Sequence, residues 1–242
     1  MQEDIKTHYQ IPDIQIINKD CIEGMNQLKD NSIDLAVTSP PYNIGIDYNE
    51  YEDQKEWSEY EIFIKKVFRN IYRILKDKSI FACNVGNQRN SGLPHYIYFW
   101  LKECGFKIIK EIFWYKGLYY IQGETIFVCS KTGEYNKYYT KNDGFYSNGQ
   151  FSTVWEMRYK NNESRKKLGH NAFFVEQIPK NFIEITTKIN DVILDPFSGT
   201  GTVALSCKKL NRRFIGFEID EKYYKQSLER LNNIPKRLDK WF

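Results

Sequence analysis

Apolar residues recur along this 242-residue chain in two rhythms. In the first they form short runs rich in β-branched and aromatic residues, which predict strands. IQIINKDC (ending at Asp20), NSIDLAVTS, KSIFACNVGN, FKIIKEIFWYK, ETIFVCSK, VILD and RFIGFEID are of this kind. In the second they fall three and four positions apart. Tyr60, Phe63, Ile64, Val67, Phe68, Ile71, Ile74 and Leu75 trace one face of a helix that starts at Trp57. LPHYIYFWLKECG predicts another helix, with Pro94 in its first turn and Gly105 just past its end. IEGMNQLK, TVALSCKKLN and EKYYKQSLERLN read as helices, as does VEQIPKNFIEITTK, where Pro179 argues for a start near itself. Strands and helices alternate, so the expected class is α/β: a mainly parallel twisted sheet with helices on both faces. FKIIKEIFWYK and ETIFVCSK are expected to add an antiparallel hairpin.

The segment from Gly133 to Gly169 breaks the pattern. It has no clear period and is rich in Asn, Tyr, Lys, Gly and Ser. It is either a floppy insert or a loop-rich recognition segment. Its later part sets Arg158, Lys160, Arg165, Lys166 and Lys167 against Glu163 alone. Such a run is a solvated face or a phosphate-contacting surface.

Composition narrows the class. Hydrophobic residues at 41% and charged residues at 27% are those of a globular protein. No apolar run is long enough to span a bilayer, and MQEDIKTHYQ lacks the features of a signal peptide. A cytoplasmic location without membrane contact is expected. The five cysteines are scattered, with no CxxC pair. They read as reduced, mostly buried thiols, and no metal site is expected. A net charge of +4 permits a nucleic-acid partner without demanding one. Aromatics at 16% fill cores and can also stack on unpaired bases.

Two stretches carry candidate chemistry. In VILDPFSGTGTVALSCKKLNRRFIGFEID a strand ends at Asp195 and a turn, FSGTGT, leads into a helix. Gly199 and Gly201 allow a tight turn and close backbone approach to a ligand. Glu218, at the tip of the next strand, can accept both hydroxyls of a ribose. The third glycine of a dinucleotide motif is missing, and no Gly-Lys-Ser/Thr follows. Asp195 before the turn would repel a diphosphate but suits a cationic ligand. These features favour S-adenosylmethionine. In the second stretch, TSPPY, two prolines end a strand stiffly, because neither has a backbone N–H to continue a sheet.

Together the two stretches resemble the amino-methylating DNA methyltransferases, which pair a (D/N/S)PP(Y/F) motif with an FxGxG motif. Here these are Ser39-Pro40-Pro41-Tyr42 and Phe197-Ser198-Gly199-Thr200-Gly201. The catalytic motif comes first, as in the permuted β class of restriction-modification systems. The resemblance extends from about Ile16 to Leu231. It implies a Rossmann-like S-adenosylmethionine-dependent fold with three parts. Residues 1–116 would form the catalytic half, 117–169 a hairpin strand and target-recognition region, and 170–242 the cofactor-binding half.

The resemblance also implies roles. Asp20 and Cys21, in NKDCIEGMNQL, lie in the family's short acidic motif, where Asp20 would hold the cofactor's adenine. His170, Ala172 and Phe174 keep the spacing of its HxAxF capping motif, although Asn171 and Val175 stand where the family usually has proline. The cofactor set is completed by Ser39, Asp195, Phe197, Ser198, Gly199, Thr200, Gly201, Thr202 and Glu218. Ser39 Oγ and the Pro40 carbonyl would accept the N–H groups of an exocyclic amine, Pro41 would stiffen the corner, and Tyr42 would stack on a flipped-out base. Lys116, Tyr119, Tyr120, Arg158, Lys160, Arg165, Lys166 and Lys167 are candidate DNA contacts. Ser before the prolines and Phe174 in the capping motif favour cytosine N4 as target, with adenine N6 as the alternative. Double-stranded DNA is the expected substrate. The chain could act as a monomer or a homodimer, alone or beside a cognate restriction endonuclease. RNA or protein-amide methylation, a non-catalytic DNA-binding protein and a nucleotide-dependent oxidoreductase are weaker alternatives.

Overall fold

A computed structural model of the chain describes residues 13–43, 45, 47–48, 51–87, 92–116, 123–138, 143–157 and 175–233. The first half carries β1 (Ile14–Asn18), α1 (Cys21–Asn26), β2 (Ile33–Thr38), a small hairpin of β3 (Asp47–Tyr48) and β4 (Tyr51–Glu52), α2 (Trp57–Ile74), β5 (Leu75–Gly86), α3 (Leu93–Glu103) and β6 (Lys107–Tyr115). Then come β7 (Gly123–Ser130), a second small hairpin of β8 (Tyr146–Ser147) and β9 (Gln150–Phe151), and β10 (Val154–Glu156). The chain continues through α4 (Gln177–Thr186), β11 (Val192–Asp195), α5 (Thr202–Lys209), β12 (Arg213–Glu218) and α6 (Glu221–Asn232).

Eight strands form one sheet in the order β1-β12-β11-β2-β5-β7-β6-β10. The run β1-β12-β11-β2-β5 is parallel throughout. β7 lies antiparallel between β5 and β6, so the expected hairpin joins the main sheet. Side chains alternate across it. Phe81, Cys83 and Val85 of β5 face a core shared with Met25, Ile64, Phe68 and Trp100, whereas Ile80 and Ala82 face one shared with Phe182, Val203 and Leu231. Helices α1–α3 therefore cover one face and α4–α6 the other, burying both sides of the parallel strands. Among the described residues no helix is long and apolar enough to cross a membrane.

α4 starts at Gln177, with Pro179 in its first turn as expected, where N–H groups have no intrahelical acceptor. Two elements differ from the sequence reading. β5 starts at Leu75, where α2 ends without a loop, because Leu75 itself adopts an extended backbone. The second concerns the aperiodic segment. Residues 143–157 fold onto the sheet, and β10 pairs in parallel with β6. Tyr146, Phe151 and Trp155 are buried there, and Trp155 packs against Phe182 with ring centroids 5.0 Å apart. The Trp155 indole donates to the Phe145 carbonyl at 3.0 Å, and that of Trp114 to the Met157 carbonyl at 2.9 Å. This part of the segment is core.

Trp155→Ala should therefore destabilise the fold by about 3–5 kcal/mol, the cost of removing a buried indole, read as a fall in denaturation midpoint. Unchanged stability would show that the segment is not part of the core.

Candidate active site

Five parallel strands bring their carboxyl ends to one edge of the sheet, where ligands bind in open α/β folds. β1 leads to Asp20, β12 ends at Glu218, β11 at Asp195, β2 at Thr38 and β5 at Gly86. Neighbouring β2 and β11 are tied at their tips, where the buried Thr38 hydroxyl donates to Asp195 Oδ1 at 2.6 Å.

The corner Ser39–Tyr42 follows Thr38 directly. The Tyr60 hydroxyl donates to the Pro41 carbonyl at 2.7 Å. Asn43 takes a left-handed conformation (φ 58°), which Asn tolerates. Its backbone N–H donates to Asp53 at 2.8 Å and its side chain bonds Lys55 through both amide atoms, at 2.9 and 2.7 Å. The corner is thus held from both sides, and the described residues make no hydrogen bond to the Pro40 carbonyl. Tyr42 differs from the sequence reading. Tyr42 is 7% exposed, and its ring lies against Gly86, where a Cβ would come 2.6 Å from it. It is placed to offer its hydroxyl rather than an open stacking face.

That hydroxyl meets Ser39 Oγ at 2.7 Å and donates to Glu124 Oε2 at 3.2 Å. Asn84 Nδ2 donates to Glu124 Oε2 at 2.5 Å and lies 3.2 Å from the Tyr42 hydroxyl and 3.4 Å from Ser39 Oγ. Lys116 pairs with Glu124 Oε1, and its ammonium lies 4.6 Å from the centroid of the Trp114 ring. Both side chains of that pair are 14% exposed. Lys116, expected as a DNA contact, pairs with Glu124 in this cluster, giving the largely buried carboxylate a counter-charge. Asn84 Oδ1 is buried with no hydrogen-bond partner among the described residues. Asn84 and Glu124 escaped the sequence reading because a strand pattern shows burial, not which polar side chains meet across strands.

On the other side of Thr38, Asp20 caps α1, its Oδ1 accepting from the N–H groups of Ile22 and Glu23 at 2.9 and 3.0 Å. The Cys21 side chain is buried in the core, and burial raises its thiol pKa. Gly199 (φ 49°) and Gly201 (φ 78°) both take the left-handed conformation that favours glycine. Glu218 Oε2 accepts from Gly199 N–H at 2.6 Å and Oε1 from Asp220 N–H at 2.9 Å. The other loop side chains turn to structural tasks. Ser198 Oγ donates to the Asp195 carbonyl at 3.1 Å. Arg230 of α6 donates to the carbonyl and hydroxyl of Thr200, and Thr202 is buried at the start of α5. Phe197 is half-buried and meets Phe63 edge-on. Arg230 also escaped the sequence reading, since it joins the loop from a distant helix. Tyr119, Tyr120, Arg158, Lys160, Arg165, Lys166, Lys167, His170, Ala172 and Phe174 lie outside the described residues.

Two carboxyls dominate the electrostatics. Burial pushes Asp195 up to about 7, against the lowering effect of the Thr38 hydroxyl and the Phe197 N–H. Burial likewise pushes Glu218 up to about 7, against the N–H groups of Asp220 and Gly199. Such a pair repels polyphosphate, while a cation would relieve its charge and hydroxyls can still bond its lone pairs.

A family model described as a DNA methylase of the N6/N4 type matches residues 33–229, from β2 to α6. The chain belongs to the N6/N4 DNA methylase family. The methylase is 29% identical over 240 residues to the type II methyltransferase M.HpaI of Haemophilus parainfluenzae, covering 91% of this chain and 75% of that protein. It is 29% identical over 256 residues to the type II methyltransferase M.BglII of Bacillus subtilis, covering 91% and 69%. Its fold matches that of the PvuII DNA methyltransferase (cytosine-N4-specific) with a TM-score of 0.74 at 22% identity, covering 93% of this chain and 89% of that one. The methylase is an S-adenosylmethionine-dependent enzyme acting on DNA. The cation-accepting, diphosphate-repelling carboxyl pair fits that cofactor.

In the folded chain Asp195 keeps its proton up to about pH 7, whereas an unfolded aspartate loses it near about pH 4. The folded state binds more protons across this window, so the stability contributed by this group falls as pH rises from about 4 to about 7. Asp195→Asn keeps an acceptor for Thr38 and removes the titration. Without ligand, its melting temperature relative to the parent should climb between pH 5 and pH 8. A gap that does not vary with pH would assign the titration elsewhere.

Proposed function

We propose that this DNA methyltransferase acts on the N4 amine of a cytosine turned out of duplex DNA. One observation carries the reading: Ser39 Oγ and the Pro40 carbonyl sit on a corner braced by Tyr60, Asn43 and Asp53, joined directly to the strand tip that Thr38 ties to Asp195. Ser39 before the prolines favours cytosine over adenine.

The chemistry needs such a corner. The lone pair of an exocyclic amine is delocalised into the ring, which makes the nitrogen a poor nucleophile. Two acceptors, one on each N–H, draw it toward tetrahedral geometry and free the lone pair. Ser39 Oγ and the Pro40 carbonyl are oxygens of the right kind, and the prolines fix their direction before the base arrives. The amine cannot be reached inside a duplex, so the nucleotide must leave the stack. S-adenosylmethionine supplies an activated methyl group on a cationic sulfur. Asp195 would offset that positive charge, Glu218 would accept from the ribose hydroxyls, and Asp20 would hold the adenine. Residues 117–169, with the basic run from Arg158 to Lys167, would read the target sequence.

The test is direct. The protein is incubated with unmethylated DNA of broad sequence content and isotope-labelled S-adenosylmethionine, and the digested nucleosides are identified by mass. N4-methylcytosine is expected; N6-methyladenine would overturn the choice of base. At saturating S-adenosylmethionine, Ser39→Ala should slow single-turnover methyl transfer by about 10²- to 10³-fold, the scale for losing one preorganised hydrogen-bonding group. A rate within about threefold of the parent would remove Ser39 from the mechanism.

A further inference from the structure

A serine hydroxyl can donate or accept a hydrogen bond. To polarise an amine, Ser39 must accept, so its own proton has to point elsewhere. The neighbouring strands supply the means. Glu124 Oε2 has no proton to give when ionised, so the Tyr42 hydroxyl, 3.2 Å away, donates to it. Tyr42 has only one hydroxyl proton, which leaves its oxygen as an acceptor toward Ser39, 2.7 Å away. The Ser39 proton is then drawn to Tyr42; one Oγ lone pair faces Asn84 Nδ2 at 3.4 Å, and the other is left for the amine. Asn84 Nδ2, at 2.5 Å from Glu124 Oε2 and 3.2 Å from the Tyr42 hydroxyl, adds a second donor and biases the chain the same way. Lys116 on Glu124 Oε1 compensates the carboxylate's charge in a largely buried setting.

We infer that Glu124, acting through Tyr42, is a positioning residue that makes Ser39 an acceptor for the target amine. This rests on the reading of Ser39 given above. A carboxylate in place of Ser39 would need no such device, because it can only accept. Serine needs its polarity imposed, and the Asn84–Glu124–Lys116 cluster lies behind Tyr42 where that can be done.

Glu124→Gln tests the idea with nearly the same shape. Lys116 is a donor only, so the new amide turns its oxygen to Lys116 and its NH₂ to Tyr42 and to Asn84, whose amide turns over to accept with its Oδ1, otherwise unpartnered among the described residues. Tyr42 must then donate to Ser39, whose proton swings out toward the amine. The expected result is a single-turnover rate about 100-fold lower, with S-adenosylmethionine affinity within about twofold of the parent. In a Tyr42→Phe background, where the relay is already cut, the same substitution should cost less than about threefold. If the Glu124→Gln chain does not fold, Tyr42→Phe alone bears the test, since it frees the Ser39 proton and should slow transfer by more than about tenfold.

Three outcomes would overturn the inference. One is a Glu124→Gln rate near that of the parent while Ser39→Ala is slow, which leaves the reading of Ser39 intact. Another is full additivity of the Glu124 and Tyr42 losses, which marks a merely structural role. The third is parent-like rates for both Ser39→Ala and Glu124→Gln, which removes the reading of Ser39 as well.

Discussion

The hydrogen bond from Thr38 to Asp195 joins residues 157 positions apart. It spans the junction of two neighbouring parallel strands, β2 and β11. On one side of it the chain continues into Ser39 and the two prolines; on the other it continues into the glycine turn. A buried carboxyl at such a place is costly unless it is hydrogen-bonded, so the bond keeps Asp195 tolerable and fixes the relative height of the two strand tips. The spacing between the corner that would hold a target amine and the loop that would hold the methyl donor depends on that register. An error of about 1 Å in such a distance can cost about 10²-fold in rate.

Burial holds the carboxyls around this junction short of full ionisation, and no cation among the described residues pairs with them. Among the described residues, Asp195 and Glu218 receive only a hydroxyl and backbone N–H groups. A lysine beside them would stabilise the empty fold more strongly, but would compete with a cationic ligand for the same charge. The Glu124 cluster is built the opposite way. There Lys116 pairs with the acid, which would suit a group that orients neighbours. The Asp195–Glu218 pair and Glu124, in one sheet, thus carry different partners, as the tasks proposed for them would require.

Rigidity is unevenly distributed in the same sense. The Ser39–Tyr42 corner is held by Tyr60 from α2 and by Asp53 and Lys55 near the β3–β4 hairpin. The glycine turn is held by Arg230 from α6. Each brace arises from an element on the periphery and reaches an edge where backbone geometry must be reproducible. The helices therefore bury the sheet and also fix its loops.

Much was legible in the linear chain. Hydrophobic period predicted every long element, because burial on one or both faces of a sheet imposes a spacing that survives in the sequence. The two motifs marked the ends of β2 and β11, since a Pro-Pro corner and a glycine turn are local necessities of backbone geometry. The preference for S-adenosylmethionine over a diphosphate cofactor also followed from Asp195 and the missing third glycine. Other features were decided only by folding. β10 is three residues long and has no period to betray it; it forms because β6 presents an open edge. Tyr42 is buried because Gly86, on another strand, leaves room for its ring. Lys116, a bare cation in the sequence, becomes the partner of Glu124, and Asn84 meets Ser39 while Glu124 meets Tyr42 only because β5 and β7 pair beside β2. A sequence records what each residue needs from its own backbone and from burial. Which polar groups meet across strands is settled by register, and register exists only in the assembled sheet.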